Sequence, residues 1–238
     1  MSEVPSVGLA DIEEARRVLA GVAITTPMEE SRWLSAIAGG PIVLKCENLQ
    51  RTGSFKPRGA YLRISRLSPE ERARGVVAAS AGNHAQGVAL AAQLLGIKAT
   101  VFMPEGAPIP KEKATRGYGA EVLFHGRYLE DALAEAKAFA ERTGAVLIHP
   151  FDHVDIVAGQ GTAGLEILEQ APDLQTVLVP TGGGGLLAGV SYTHWESNER
   201  AMRLGERLPQ SPIPRLVAVA LTLTAAVAVV VTIVVLVG

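Results

Sequence analysis

The stretch SAGNHAQGVA, Ser80–Ala89, follows an apolar run, Gly75–Ala79, and begins an alanine-rich segment. This order predicts a buried strand, a tight glycine turn and the start of a helix. The stretch TGGGGLLAGV, Thr181–Val190, has the same arrangement after the apolar residues Thr176–Pro180. The backbone N–H groups at such helix starts have no partner within the helix, so both stretches are suited to binding an anion.

A third stretch, SFKPRGA at Ser54–Ala60, places Lys56 directly before a proline and among residues that suit a turn. A lysine held in this way can form an imine with a carbonyl compound or an aldehyde cofactor. The alternative is a solvated turn lysine without a chemical role. Glu47 and Asn48 follow a predicted strand, and we expect them to cap or support the loop that carries Lys56.

Short apolar runs alternate with helical segments along most of the chain. The predicted strands are Pro41–Cys46, Gly75–Ala79, Ala99–Met103, Glu121–Phe124, Ala145–Ile148 and Thr176–Val179. The predicted helices are Asp11–Ala20, Gly59–Leu67, Ala85–Leu95, Leu129–Thr143 and Gly161–Gln170. Asp11 is expected to be the N-cap of the first helix. This alternation predicts an α/β fold with a mostly parallel sheet that is covered by helices on both faces.

The composition indicates an intracellular enzyme. The net charge of −2 over 238 residues leaves no basic stripe for nucleic acid. Cys46 is the only cysteine, which excludes an intrachain disulfide, and no Cys/His spacing indicates zinc. A proline interrupts the cluster His149, Asp152 and His153, so we interpret it as a polar loop and expect no metal site. The N-terminal residues do not resemble a signal peptide, and we expect a cytoplasmic location.

These stretches together resemble the threonine dehydratase and serine racemase family of pyridoxal-phosphate enzymes, in particular its threonine dehydratase (threonine ammonia-lyase) branch. The motifs that carry the resemblance are KCENLQRTGSFKPRGA, SAGNHAQG, KATRGYGAEV, AGQGTAGLEI and VPTGGGGLLAG, and they run from about Asp11 to about Val190. The resemblance implies a tryptophan-synthase-β-like fold of two domains. A small domain, residues 54–153, would be inserted into a large one, residues 1–53 and 154–190, with pyridoxal phosphate in the cleft between them. Family members assemble as homo-oligomers.

The resemblance also implies roles for individual residues. Lys56 would form a Schiff base with pyridoxal phosphate and later take the α-proton of an amino-acid substrate. Asn83 would bind the 3′-hydroxyl of the cofactor. The cofactor phosphate would be bound by Gly182, Gly183, Gly184, Gly185 and Leu186. The substrate would be bound by Ser80, Ala81, Gly82 and His84. His84 is equally well interpreted as a satisfied histidine at a helix start, and Ser54 as either a substrate contact or a turn residue.

Ala81 distinguishes the branches of this family. In the racemases a second serine stands directly before the Gly-Asn pair and exchanges a proton on the face opposite the lysine, whereas alanine cannot transfer a proton. The resemblance therefore implies elimination, with L-threonine and also L-serine converted to a 2-oxo acid and ammonia. It leaves open whether the reaction belongs to isoleucine biosynthesis or to catabolism.

The sequence changes character after Val190. Residues 191–215 form a polar, arginine-rich connector, and residues 216–238 contain no charged side chain. At the rise of a helix the apolar segment would be about 34 Å long, enough to cross a hydrocarbon core of about 30 Å. It therefore predicts a transmembrane helix that anchors a cytoplasmic catalytic part.

Two alternatives compete with the anchor. Pro212–Leu221 is suited to be the next parallel strand, because valine, isoleucine and threonine favour buried strands. The reading frame could instead be truncated or shifted. If the large domain is incomplete, we expect a truncated, inactive or membrane-tethered cofactor-binding homologue without turnover in place of an active dehydratase.

Overall fold

A computed structural model describes residues 7–193, 215–220 and 233–237 of the chain. These residues form two compact units. One unit is Lys56–Pro150, and the other consists of the described residues before and after it. Each unit is built around a sheet of its own.

The helices and strands follow the predicted alternation. In chain order, the strands are β1 (Met28–Glu30), β2 (Ile42–Lys45), β3 (Val76–Ala79), β4 (Ala99–Met103), β5 (Glu121–Phe124), β6 (Val146–Leu147), β7 (Leu174–Thr181), β8 (Arg215–Ala220) and β9 (Ile233–Val237). The helices are α1 (Leu9–Val18), α2 (Arg32–Ala38), α3 (Lys56–Ser65), α4 (Pro69–Arg74), α5 (Asn83–Leu95), α6 (Ile109–Gly117), α7 (Leu129–Thr143), α8 (Val154–Gln170) and α9, described over residues 185–193. All the predicted elements before Val190 are present, although α8 begins well before the predicted Gly161.

The unit Lys56–Pro150 contains a parallel sheet in the order β5-β4-β3-β6. Val77 of β3 and Phe102 of β4 pack with Ala132 and Ala136 of α7 in its core. The carboxyl end of β3 leads directly into the turn before α5. This is the end of a parallel sheet at which ligands bind in α/β proteins.

The other unit has a mixed sheet in the order β1-β2-β9-β7-β8. Only β7 and β8 run parallel, whereas β9 is antiparallel to both of its neighbours. The prediction of a mostly parallel sheet is therefore wrong for this unit, because apolar runs do not encode strand direction. Its core joins Val177 and Val179 of β7 to Leu186 and Val190 of α9.

The apolar tail contributes strands where it is described. Arg215–Ala220 pairs in parallel with β7, as the alternative interpretation of Pro212–Leu221 predicts. The prediction of a transmembrane helix over residues 216–238 is wrong for the two strand segments, and residues 221–232 lie outside the described ranges. The described part of the chain contains no helix both long and apolar enough to cross a bilayer. β9 consists of β-branched residues apart from Leu236, and β8 contains two valines; β-branched residues favour strands over helices.

The N-terminal helix begins earlier than predicted. Gly8 is the N-cap of α1, and Asp11 occupies the third helical position, from which its Oδ2 accepts the Gly8 N–H at 2.9 Å. The prediction of Asp11 as N-cap is therefore wrong. An acid in the first turn accepts a terminal N–H from inside the helix as well as from the cap position.

A buried ion pair fixes the end of β2. The Nζ of Lys45, a fully buried residue, lies 2.5 Å from Oε2 of Glu166 on α8. The same Nζ donates to the Thr26 carbonyl at 2.6 Å and to Oε1 of Gln170 at 2.7 Å. These contacts compensate the buried charge and hold the strand from which the chain continues towards Lys56.

Candidate functional site

Side-chain hydrogen bonds connect the loop between β2 and Lys56 to residues 24 and 26. Buried Glu47 accepts the Thr26 hydroxyl at 2.6 Å through its Oε1. The side chain of Gln50 accepts the N–H of Ile24 at 3.1 Å and donates to its carbonyl at 2.7 Å. Glu47 thus supports the loop that carries Lys56, as the sequence led us to expect.

The residues directly before Lys56 are strained and incompletely paired. Thr52 has a φ of +66° and is the only residue other than glycine with positive φ in the described chain. A β-branched residue rarely adopts this conformation. The buried hydroxyls of Thr52 and Ser54 have no hydrogen-bond partner among the described residues. A buried hydroxyl without a hydrogen bond destabilises the folded protein by roughly 1–3 kcal/mol. The Ser54 hydroxyl, two residues before Lys56 in the sequence, is therefore suited to form a hydrogen bond with a ligand.

Lys56 begins α3 and has a perturbed amine. Its Nζ donates to the Pro150 carbonyl at 2.7 Å, and burial lowers the pKa of Lys56 from 10.5 to about 8. A larger share of the amine is therefore neutral and nucleophilic than in an exposed lysine. A Cβ on Gly87 of α5 would lie 3.1 Å from the backbone carbon of Lys56. The glycine therefore lets α5 pack directly against the Lys56 backbone.

The turn Ser80–His84 joins β3 to α5. The Ser80 hydroxyl accepts the Gly82 N–H at 3.1 Å, which closes the turn from inside. The first N–H groups of α5 have no acceptor within the helix. A Cβ added to Gly82 would meet no atom of the described residues within 4 Å, so there is open space beside this backbone. The turn can therefore present N–H groups to a small anion.

Asn83, the first residue of α5, is bound by a lysine that the sequence did not single out. Its Oδ1 accepts from Nζ of Lys111 at 2.7 Å. Lys111 lies in the first turn of α6 and is half-buried. The two residues are far apart in sequence, and no local pattern connects them.

His84 is buried and neutral near pH 7. Its Nε2 lies 2.8 Å from the Ile148 carbonyl, which can only accept, so Nε2 carries the hydrogen. Burial lowers the pKa of His84 to about 3, and the nearby charge of Lys56 contributes to this lowering. His84 therefore does not supply a positive charge to an anion at this turn.

The glycine loop, Gly182–Gly185, joins β7 to α9. A Cβ on Gly183 would lie 2.0 Å from the ring of Phe151, and one on Gly185 would lie 2.9 Å from the Phe151 carbonyl. A Cβ on Gly182 or Gly184 would meet no atom of the described residues within 4 Å, and Gly184 has a φ of +87°. Gly183 and Gly185 thus allow the loop to pack against Phe151. At Gly182 and Gly184 no described side chain covers the backbone. Leu186 is buried in the core and anchors the start of α9.

One residue of the predicted polar loop formed by His149, Asp152 and His153 caps a helix. His153 is the N-cap of α8, and its Nδ1 accepts the N–H of Asp155 at 3.1 Å. Across residues 7–193 and the two tail strands, no group of three His, Cys, Asp or Glu side chains could hold a metal ion.

The strand-turn-helix segments and the perturbed lysine define a class of protein. A family model for pyridoxal-phosphate dependent enzymes matches residues 20–228, and the chain belongs to this family. The matched residues extend past Val190, which bounded the resemblance noted in the sequence.

Individual relatives are similar over most of this chain. An L-threonine ammonia-lyase from Thermotoga maritima is 52% identical over 206 residues, which cover 87% of this chain and 51% of the relative. The crystal structure of a threonine deaminase from T.th. is 43% identical with a TM-score of 0.77, covering 90% of this chain and 65% of that one. Serine racemase from Dictyostelium discoideum is 38% identical with a TM-score of 0.79, covering 91% and 66%. The chain spans about half the length of the curated relatives it matches.

The residues present fit a phosphorylated aldehyde cofactor. Lys56 offers an amine whose pKa is lowered to about 8, as attack on an aldehyde requires. The uncovered backbone at Gly182 and Gly184, followed by the start of α9, is suited to a phosphate group. The unpaired Ser54 hydroxyl offers one further polar group.

Proposed function

We propose that this protein is a pyridoxal-phosphate dependent dehydratase that converts L-threonine, and also L-serine, to a 2-oxo acid and ammonia. The observation that carries the proposal is the Lys56 amine, which burial brings to a pKa of about 8 at the start of α3. The relatives named L-threonine ammonia-lyase and threonine deaminase support the reaction class.

We assign the cofactor contacts as follows. Lys56 would hold the cofactor covalently through its Nζ. Asn83 would donate a hydrogen bond to the ring oxygen, and the backbone N–H groups of Gly182–Gly185 and Leu186 would bind the phosphate. Leu186 is buried in the core, which keeps the first turn of α9 in place for this role.

The same lysine acts on the substrate. Bound pyridoxal phosphate withdraws electrons from the substrate Cα and so makes the α-proton acidic. When the substrate amine takes its place on the cofactor, the freed Nζ of Lys56 would accept this proton and return it to the departing β-hydroxyl, which would leave as water. Hydrolysis of the released enamine then consumes one water and gives 2-oxobutanoate and ammonia from L-threonine, so that water is balanced overall.

The turn before α5 is proposed to bind the substrate carboxylate through backbone N–H groups from Ser80 to His84. His84 is neutral near pH 7, so the N–H groups and not an imidazolium charge would supply the attraction. Ala81 carries a methyl group where a second proton carrier would be needed. Elimination is therefore favoured over racemisation.

Turnover by the purified full chain tests this function. With pyridoxal phosphate and L-threonine we expect release of 2-oxobutanoate, and with L-serine release of pyruvate with little D-serine. Lys56→Ala is expected to lower the rate by about 10³-fold or more, because it removes both covalent binding and the base. Lys137→Ala, which removes an exposed lysine on α7, is the matched control and should keep the parent rate.

Two outcomes would contradict the proposal. Cofactor binding without any 2-oxo acid would show a cofactor-binding protein without turnover. Equal rates of D-serine and pyruvate formation from L-serine would show that Ala81 does not restrict the reaction to elimination.

A further inference from the structure

The hydrogen bond between Lys111 and Asn83 determines which atom of the Asn83 amide faces the lysine. A lysine ammonium has three N–H donors and no acceptor, so it can bond only to the oxygen of a side-chain amide. The Nζ of Lys111 lies 2.7 Å from Oδ1 of Asn83. This contact determines which way the amide is oriented, since a flipped amide would turn its NH₂ group towards the ammonium. The Nδ2 donors of Asn83 are consequently directed away from Lys111.

The position of Lys111 is not explained by the stability of its own helix. Lys111 lies in the first turn of α6, which begins at Ile109. A cation near a helix N-terminus is disfavoured, because the helix dipole places partial positive charge there. Asn83 likewise lies at the first position of α5, so the ammonium is placed close to the positive end of a second helix. Because the Lys111 ammonium is electrostatically unfavourable at the N-termini of both helices, we expect this lysine to have a role other than stabilising them.

We propose that Lys111 is a positioning residue that orients the amide of Asn83, so that Nδ2 donates to the ring oxygen of pyridoxal phosphate. This inference rests on the proposed function, in which Asn83 contacts that oxygen. The positive charge of the Lys111 ammonium beside Oδ1 also polarises the amide and strengthens its N–H donors. Lys111 acts through Asn83 and does not touch the reacting atoms.

Cofactor affinity of the full chain, measured by titration with two probes, tests this role. The probes are pyridoxal phosphate and its 3-deoxy analogue, which lacks the ring oxygen. Lys111→Met keeps the aliphatic stem and is expected to weaken pyridoxal phosphate binding about tenfold while leaving the affinity for the analogue unchanged. Lys113→Met is the matched control, because it removes one exposed lysine from the same helix and should bind both probes like the parent.

A double-mutant cycle separates orientation from general stability. If Lys111 acts through Asn83, Lys111→Met should have no further effect in the Asn83→Ala background. Lys111→Leu, which also removes the donor, serves in the same cycle should the methionine variant not fold, and Lys111→Arg should restore most of the affinity.

Each result bears on the inference. An equal loss of affinity for both probes, or additive effects in the cycle, would show a merely structural role and overturn it. A Lys111→Met protein that binds pyridoxal phosphate like the parent would overturn it while leaving the proposed function intact. A parent protein that binds no pyridoxal phosphate would overturn the proposed function and the inference together.

Discussion

Burial lowers the pKa of two basic side chains in the unit Lys56–Pro150, with different chemical results. Lys56, with a pKa of about 8, can lose and regain a proton at pH values near neutrality. His84, at a pKa of about 3, stays neutral throughout that range and donates to the Ile148 carbonyl. Burial thus makes the lysine a usable nucleophile and base, whereas it makes the histidine a structural donor.

The lowered pKa of His84 predicts a loss of stability in acid. The unfolded chain binds a proton at this histidine below its ordinary pKa of 6.5, but the folded chain does so only near pH 3. The contribution of His84 is therefore complete above pH 6.5 and is lost as the pH falls towards 3, by at most about 1.4 kcal/mol per pH unit. Urea unfolding across this window should show a shallower pH dependence for His84→Gln than for the parent protein.

His125 provides the control for this measurement. It lies exposed after β5, so His125→Gln should change the pH dependence of unfolding less than His84→Gln does. If His84→Gln and His125→Gln lose stability with acid equally, burial of His84 does not hold its pKa down.

At the level of elements, the glycine loop is held between β7 and α9 by contact with Phe151. Gly183 and Gly185 approach this residue closely, whereas a Cβ on Gly182 or Gly184 would meet no atom within 4 Å among the residues that the structure describes. The four glycines therefore differ in what they require. A side chain at Gly183 would collide, one at Gly184 would be strained by its φ of +87°, and one at Gly182 would meet neither obstacle.

Alanine substitution in the loop should reveal this difference. Gly183→Ala places a Cβ 2.0 Å from the Phe151 ring and is expected to lower the free energy of unfolding by about 1–3 kcal/mol. Gly182→Ala is the matched control on the neighbouring residue and should change stability by less than about 0.5 kcal/mol. Thermal and urea unfolding of the two variants would measure the contrast, and equal stabilities would refute the contact.

Elements with a long, uninterrupted apolar pattern could be predicted from sequence, and those defined by distant pairing could not. β4, β5 and α7 begin and end where the sequence predicts, because their apolar residues follow one period throughout. β1 could not be predicted from the sequence, since Met28–Glu30 is short and polar and forms a strand only through its pairing with β2. The tail was misjudged because a run of valines suits both a lipid-facing helix and a buried strand.

The candidate site was predictable to the extent that its residues lie in contiguous motifs. Lys56, Asn83 and the glycine loop could be located from turn residues next to apolar runs. Lys111 and Phe151 could not, because each acts through a contact with a residue distant in sequence. The low pKa of His84 likewise depends on burial that no local pattern reveals.

For the whole molecule, the proposed function depends on one covalent bond, between Lys56 and pyridoxal phosphate. Reduction of the loaded protein with borohydride makes this bond permanent, and mass spectrometry of its peptides then shows which lysine carries the cofactor. We expect the reduced cofactor on the peptide that contains Lys56 and on no other peptide. Its absence from that peptide, or its attachment to another lysine, would contradict the assignment of Lys56.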